Sequence, residues 1–308
     1  MHPKVNEGAA VNGEGRLTDH GKPHIDRVFD CAQKLIGDRV ADLNAYELFL
    51  LCAAIHLHDI GNIDGRKNHE KRIRDVVQRL KIKIPMENDS ATKETIIRIA
   101  QAHGGTSELK KDNDTFFDLK NKETLFGNFI VRPARISSVL RFADELSDFC
   151  KRTDDDIKTP EENEIHHAYS RTLHECHIDG RSIQLVYKLK YEDTQKQLRS
   201  GGQRIYLYDE IRRRLEKLMR EMEYCSKYSE GLIIACDVHV IIRVSEKENE
   251  NIDNYKDSFK LCLRGYPDTR INSFDYYLDY DKDTRKAVAP KCESGKILKS
   301  VVRGGTEK

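Results

Sequence analysis

The chain has 308 residues, 38% of them hydrophobic and 34% charged, with a mean hydropathy of -0.69 and a net charge of +1. Its length suggests roughly two domains at ~150 residues each; its longest apolar run, Leu48 to Ile55, is far short of the ~20 residues that span a bilayer, and its polar N-terminus lacks a secretory apolar stretch. This excludes a membrane protein, argues against a secreted one, and reads the scattered cysteines, none in a CxxC pair, as reduced thiols of a cytoplasmic protein.

Helical spacing dominates the first half. Ile25, Val28, Ala32, Leu35 and Ile36 share one face of a helix over 24–36 that Gly37 can end. Asn44 can cap the next helix, with Glu47 three residues on, and that helix stops near Gly61. Residues 69–80 and 91–103 repeat the pattern, and Pro133 suits the first turn of a helix reaching residue 149. No strand pattern is expected before residue 150. Beyond it, Asp179-Gly180 marks a hairpin between strands 172–178 and 182–191, residues 203–226 read as a long amphipathic helix, and residues 232–244 alternate as a strand. A further strand is expected within 258–264. The expected fold is mainly α: an N-terminal all-α bundle followed by a smaller α+β domain. The expected organisation is a flexible N-terminus (1–17), a metal-binding helical domain (18–152), an α+β accessory domain (165–270) and a C-terminal extension, partly disordered (271–308), with the boundary in the acidic stretch 153–164.

The informative residues are polar groups on apolar faces. His24 precedes Val28 by four, His58 and Asp59 end the most hydrophobic helix, and His69 precedes Ile73 by four. His103 follows Ile99 by four, and Asp144 follows Leu140 by four. One such histidine is usually a hydrogen-bonded core residue, but six groups on five helices are not explained that way. Burying two lone carboxylates costs several kcal/mol each, and bound cations offset that cost. Imidazole and carboxylate without thiolate suit Mn, Fe, Ni, Co or Zn, with Mg an alternative, and six ligands exceed the needs of one tetrahedral ion, which favours two.

The order His24, His58-Asp59, Asp144 resembles the H…HD…D signature of the HD-domain metal-dependent phosphohydrolases. The strings TDHGKPHIDRV, LHDIGN and VLRFADELSD carry the resemblance over about residues 17–150. His69 within NHEKR and His103 within IAQAHGG resemble the extra ligands of the two-metal branch, and the strings look most like HD domains of bacterial conflict, antiviral defence and stress systems. Asn62 follows HDIG where the cyclic-di-GMP branch often has Lys, which argues against that branch; a GYP string does occur, at 265–267, but outside the expected helical domain. The resemblance implies a core site of His24, His58, Asp59 and Asp144, with Asp59 as the bridge and His69 and His103 completing a second ion. It also implies attack on phosphorus by metal-activated hydroxide.

His20, four before His24, is a candidate catalytic proton donor or a support for the ligands. His56 is expected to point away. Glu70 reads as a solvated helix face. Arg66, Arg135 and Arg141 are candidate phosphate contacts, each at low odds in a chain with 53 basic residues. No P-loop, G-x-G-x-x-G, HExxH or G-x-S-x-G motif occurs. The leading expectation is a phosphohydrolase acting on a small nucleotide or nucleotide-derived messenger. Residues 1–150 carry equal numbers of basic and acidic side chains, which favours that over long duplex DNA. The alternatives are a metal nuclease on single-stranded DNA or RNA, a di-iron oxygenase, and a non-catalytic metal-stapled sensor. The α+β domain is expected to mediate homo-oligomerisation or contact a protein partner.

Overall fold

The computed structural model describes residues 4–5, 20–82, 90–119, 124–126, 128–148, 164–200, 202–245, 255–264, 274–279 and 288–304. Most of the expected N-terminal segment 1–17, and the boundary stretch 153–163, lie outside them. The chain divides into two compact units, Met1–Ser147 with Tyr224–Ile234, and Asp148–Glu223 with Ala235–Lys308.

The first unit is a helical bundle. Helix α1 (Lys22–Ile36) starts with Pro in its first turn and stops at Gly37, whose φ is +52°. In α2 (Ala45–Leu57) the Asn44 side chain accepts from the backbone N–H of Tyr46 and Glu47, and Glu47 accepts in return from the Asn44 N–H. This capping box satisfies donors that would otherwise be orphaned. Glu47 is fully buried, and its carboxylate also accepts from the backbone N–H, Nε and Nη2 of Arg132. Helices α3 (His69–Arg79), α4 (Ser90–Gln101) and α5 (Pro133–Glu145) complete the bundle. Val28, Leu50, Ala54, Ile73, Val76, Ile96, Ile99, Val139 and Leu140 fill its interior.

A two-stranded antiparallel ribbon, β1 (Thr124–Phe126) and β2 (Phe129–Val131), interrupts the helices where the sequence was expected to hold no strand. Two triplets of strand-forming residues, Thr-Leu-Phe and Phe-Ile-Val, around Gly127-Asn128 are the signal for it.

The second unit opens with α6 (Glu164–Thr172). Strands β3 (Leu173–Asp179), β4 (Ser182–Lys190), β7 (Asp237–Ser245) and β8 (Tyr255–Cys262) form a sheet in the order β3-β4-β7-β8. Only the β4–β7 pair is parallel. Between β4 and β7 lie a short helix α7 (Tyr191–Gln195), a ribbon of β5 (Gln197–Ser200) and β6 (Gln203–Tyr206), and the long helix α8 (Leu207–Tyr228). Residues 203–206 are therefore strand rather than the first turn of the helix, because Gly202 at φ +84° folds them back onto Gln197–Ser200. Strand β7 begins at Asp237, five residues later than the alternation suggests. Glu230 and Gly231, both at positive φ, turn the chain first, and Leu232 bonds back to the Ser229 carbonyl. Helix α9 (Gly295–Gly304), within the expected C-terminal extension, buries Leu298 and Val302. No helix among the described residues is long and apolar enough to cross a membrane.

Candidate metal centre

His58 caps the C-terminus of α2, and Asp59 leads into a tight turn over Ile60–Asp64. Gly61 lets this turn press on the start of α3; a Cβ there would stand 1.9 Å from the His69 carbonyl oxygen. The HD pair and His69 are thereby brought together. His103 follows α4, His24 lies in the first turn of α1, and Asp144 in the last turn of α5.

The imidazoles share one device. His58 donates from Nδ1 to the Ile55 carbonyl at 2.7 Å, and His103 from Nδ1 to the Ala100 carbonyl at 2.6 Å. His69 Nδ1 bonds the Arg66 carbonyl at 3.1 Å. His24 Nδ1 donates to Ser147 Oγ at 3.2 Å, and that hydroxyl in turn donates a hydrogen bond to the Asp144 carbonyl. With Nδ1 committed outward, each Nε2 turns inward, which fixes the tautomer a metal ligand needs.

The inward atoms fall into two sets. In the first, His24 Nε2 lies 3.2 Å from His58 Nε2, 3.2 Å from Asp59 Oδ2 and 3.3 Å from Asp144 Oδ1. In the second, His69 Nε2 lies 3.1 Å from His103 Nε2 and 3.2 Å from Asp59 Oδ1. The two oxygens of Asp59 thus face different sets. Ligands bonded at ~2.1 Å to one ion stand roughly 3.0–3.4 Å apart, so the spacing fits an ion in each. Paired Nε2 lone pairs at 3.1–3.2 Å repel unless a proton or metal cation sits between them. The donor set therefore fits divalent metal. His20, His24 and Asp59 form a third candidate group, but His20 Nδ1 stands only 2.7 Å from Asp59 Oδ2, a hydrogen-bond separation.

The electrostatics agree. Burial alone would lift both carboxyls, yet His20 and His58 hold Asp59 well below the usual range, and bonds from His24 and His58 hold Asp144 there too. Burial pushes the His58 imidazole down, but Asp59 and Asp144 outweigh it and raise it to about 9. Burial, with His58 and His69 nearby, lowers His103 to about 3. His24, His58 and Asp59 are buried, whereas the Asp144 and His69 side chains are 29% and 20% exposed, so solvent reaches the set on that side.

All six expected ligands are brought together. His20 joins them by bonding Asp59, and its Nε2 accepts from Arg66 Nη1 at 3.2 Å, on an exposed residue. Arg135 and Arg141 are engaged elsewhere. Arg135 donates to the Asp42 and Ser229 carbonyls, while Arg141 bonds Asn113 and Thr115 and lies over the Tyr224 ring. His56 is exposed and packs on Phe29. Glu70 is buried rather than solvated, because the Gly104-Gly105 turn covers it. Sequence reasoning passed over Ser147 and gave Asn62 no role. Asn62 donates to Asp59 Oδ1 at 2.9 Å, and its own Oδ1 is buried without a hydrogen-bond partner among the described residues. Both lie three residues after a ligand, the one signal available in the sequence.

Residues 14–219, more than half of the chain, match the protein-family model described as HD-CE. No curated protein matches the chain.

Proposed function

The chain belongs to the HD-CE family and is a metal-dependent phosphohydrolase, and from that premise we propose that it cleaves a phosphoester or phosphoanhydride in a nucleotide or nucleotide-derived messenger. The observation that supports this most is the inward turn of four Nε2 atoms onto two carboxylates, with every Nδ1 engaged outward. In this reading His24 and His58, with Asp59 and Asp144, would hold one divalent ion. His69 and His103, with Asp59, would hold a second. Such ions supply Lewis acidity that acidifies water and neutralises charge developing on phosphoryl oxygens. His20 and Asn62 bond opposite oxygens of Asp59 and keep it facing both ions. Arg66, exposed beside His20, has further N–H groups to offer a substrate phosphate.

The test is product analysis of chain loaded with Mn, Fe, Ni, Co, Zn or Mg. The panel holds nucleotides, cyclic nucleotides and single-stranded oligonucleotides, with Asp59→Ala as the control. A nucleotide product formed by the parent chain and reduced at least ~10²-fold in the control is expected. Equal product from both would remove the mechanism. Cleavage of oligonucleotides alone would move the substrate to single-stranded nucleic acid.

A further inference from the structure

A cavity of about 240 Å³ is lined by residues of α3, α4 and the chain after α4, among them Glu70, Lys71, Arg98, Gln101, Gly104 and Leu119. Its size, below the ~300–1,000 Å³ of pockets for drug-sized ligands, suits a fragment on the scale of a nucleobase. Glu70 is 7% exposed. Among the described residues its carboxylate accepts no hydrogen bond. Its polar neighbour is His69 Nδ1 at 3.5 Å, which already bonds the Arg66 carbonyl. Gly105, at φ +77°, closes over it; a Cβ there would stand 2.5 Å from Glu70 Oε1. The carboxylate is largely enclosed and holds no hydrogen-bond donor among the described residues, so its oxygens can receive N–H groups from an occupant of the cavity.

The same wall offers unspent donors. Arg98 uses Nη2 on the Asp118 carbonyl at 3.2 Å and keeps its other N–H groups. Lys71 Nζ has no partner among the described residues. Arg74, by contrast, is locked to Glu94 through both Nη atoms. An occupant must therefore bring a donor pair to Glu70 and acceptors to Arg98 and Lys71. Guanine does both on adjacent edges of one ring. Its N1–H and 2-amino group fit a carboxylate, and its O6 and N7 are the acceptor pair that a guanidinium reads. Adenine would set a ring-nitrogen lone pair against the carboxylate.

We propose that Glu70 and Arg98 form a guanine-recognition subsite beside the metal centre, which makes guanine nucleotides the preferred substrates. The preference for guanine nucleotides as substrates rests on the nucleotide reading above; the binding of the base does not. Nucleosides carry no phosphate, so titration calorimetry of the full chain with guanosine, inosine, adenosine and xanthosine tests the subsite separately from turnover. Guanosine is expected to bind at least tenfold more tightly than adenosine or than inosine, which lacks the 2-amino group. Glu70→Gln weakens guanosine at least tenfold and improves xanthosine, because an amide accepts from N1–H and donates to O2. Arg98→Gln, at a partly exposed position, weakens guanosine without that gain. Guanosine that binds no better than adenosine, or is unaffected by both variants, overturns the subsite. Equal hydrolysis of adenine and guanine nucleotides without guanosine binding overturns it and leaves the nucleotide reading standing. Guanosine binding with no nucleotide hydrolysed has the opposite meaning.

Discussion

Asp59 does its work through constraint as much as charge. Its oxygens are pinned from opposite sides by His20 and Asn62, and a carboxylate so held cannot rotate toward one set at the expense of the other. Removing such a support typically lowers metal affinity ~10–100-fold without unfolding the protein. His20→Ala is therefore expected to lose that much affinity in competition with a chelator, while its circular dichroism stays that of the parent. Unchanged affinity would leave His20 with no part in holding the site. The clustered histidines and aspartates were legible because each sits on an apolar stripe, where a charged or polar side chain needs a reason. Glu70 was not, since a helix pattern gives no warning that the Gly104-Gly105 turn, far along the chain, will cover it. Arg135 and Arg141, candidate phosphate contacts in the sequence, are engaged within the bundle. A guanidinium in the ligand-bearing helix is equally suited to carbonyls of the bundle itself, and that is where theirs go.

At the level of elements, geometry is transmitted by contact. Gly61 and the His69 backbone interlock so closely that no Cβ fits. Gly61→Ala is expected to push the start of α3 outward, moving His69 off the second set while His24, His58 and Asp144 stay in place. Metal analysis should then show loss of one ion with the other retained. Loss of neither would show that the turn yields freely. In the second unit, Glu210 of α8 is fully buried among His166, Arg213 and Arg214. Burial pushes its carboxyl up, but those partners outweigh it and lower it to about 2. A depressed carboxyl contributes stability that is complete above its unfolded value of ~4.5 and is lost as pH falls through about 2. Glu210→Gln should cost on the order of 2–3 kcal/mol in urea unfolding at pH 7, and should flatten the decline in stability below pH ~4.5. The helices and the main sheet were readable from periods of 3.6 and 2. The short ribbons were not, because three or four residues hold too little period, and only the glycine turns inside them carry a signal.

For the molecule, an anionic cage at the centre of a bundle is a source of instability that its own cargo removes. A ligand bound only by the folded state, at a hundred times its dissociation constant, adds ~2.7 kcal/mol. Chelation should accordingly lower hydrogen-exchange protection across α1–α5, and restoring divalent ion should return it. Protection indifferent to chelation would mean that the cage closes without cargo. The first unit has a second dependence. Tyr224 stacks on Phe116 at 4.6 Å, and both Tyr224 and Tyr228 donate to Asp114. These tyrosines belong to the short stretch by which the chain rejoins that unit after a long absence. During synthesis Phe116 and Asp114 leave the ribosome more than a hundred residues ahead of the rings that cover them. The bundle therefore stays unfinished at birth until translation has passed Tyr228, and about half of the second half must be made before the first can close.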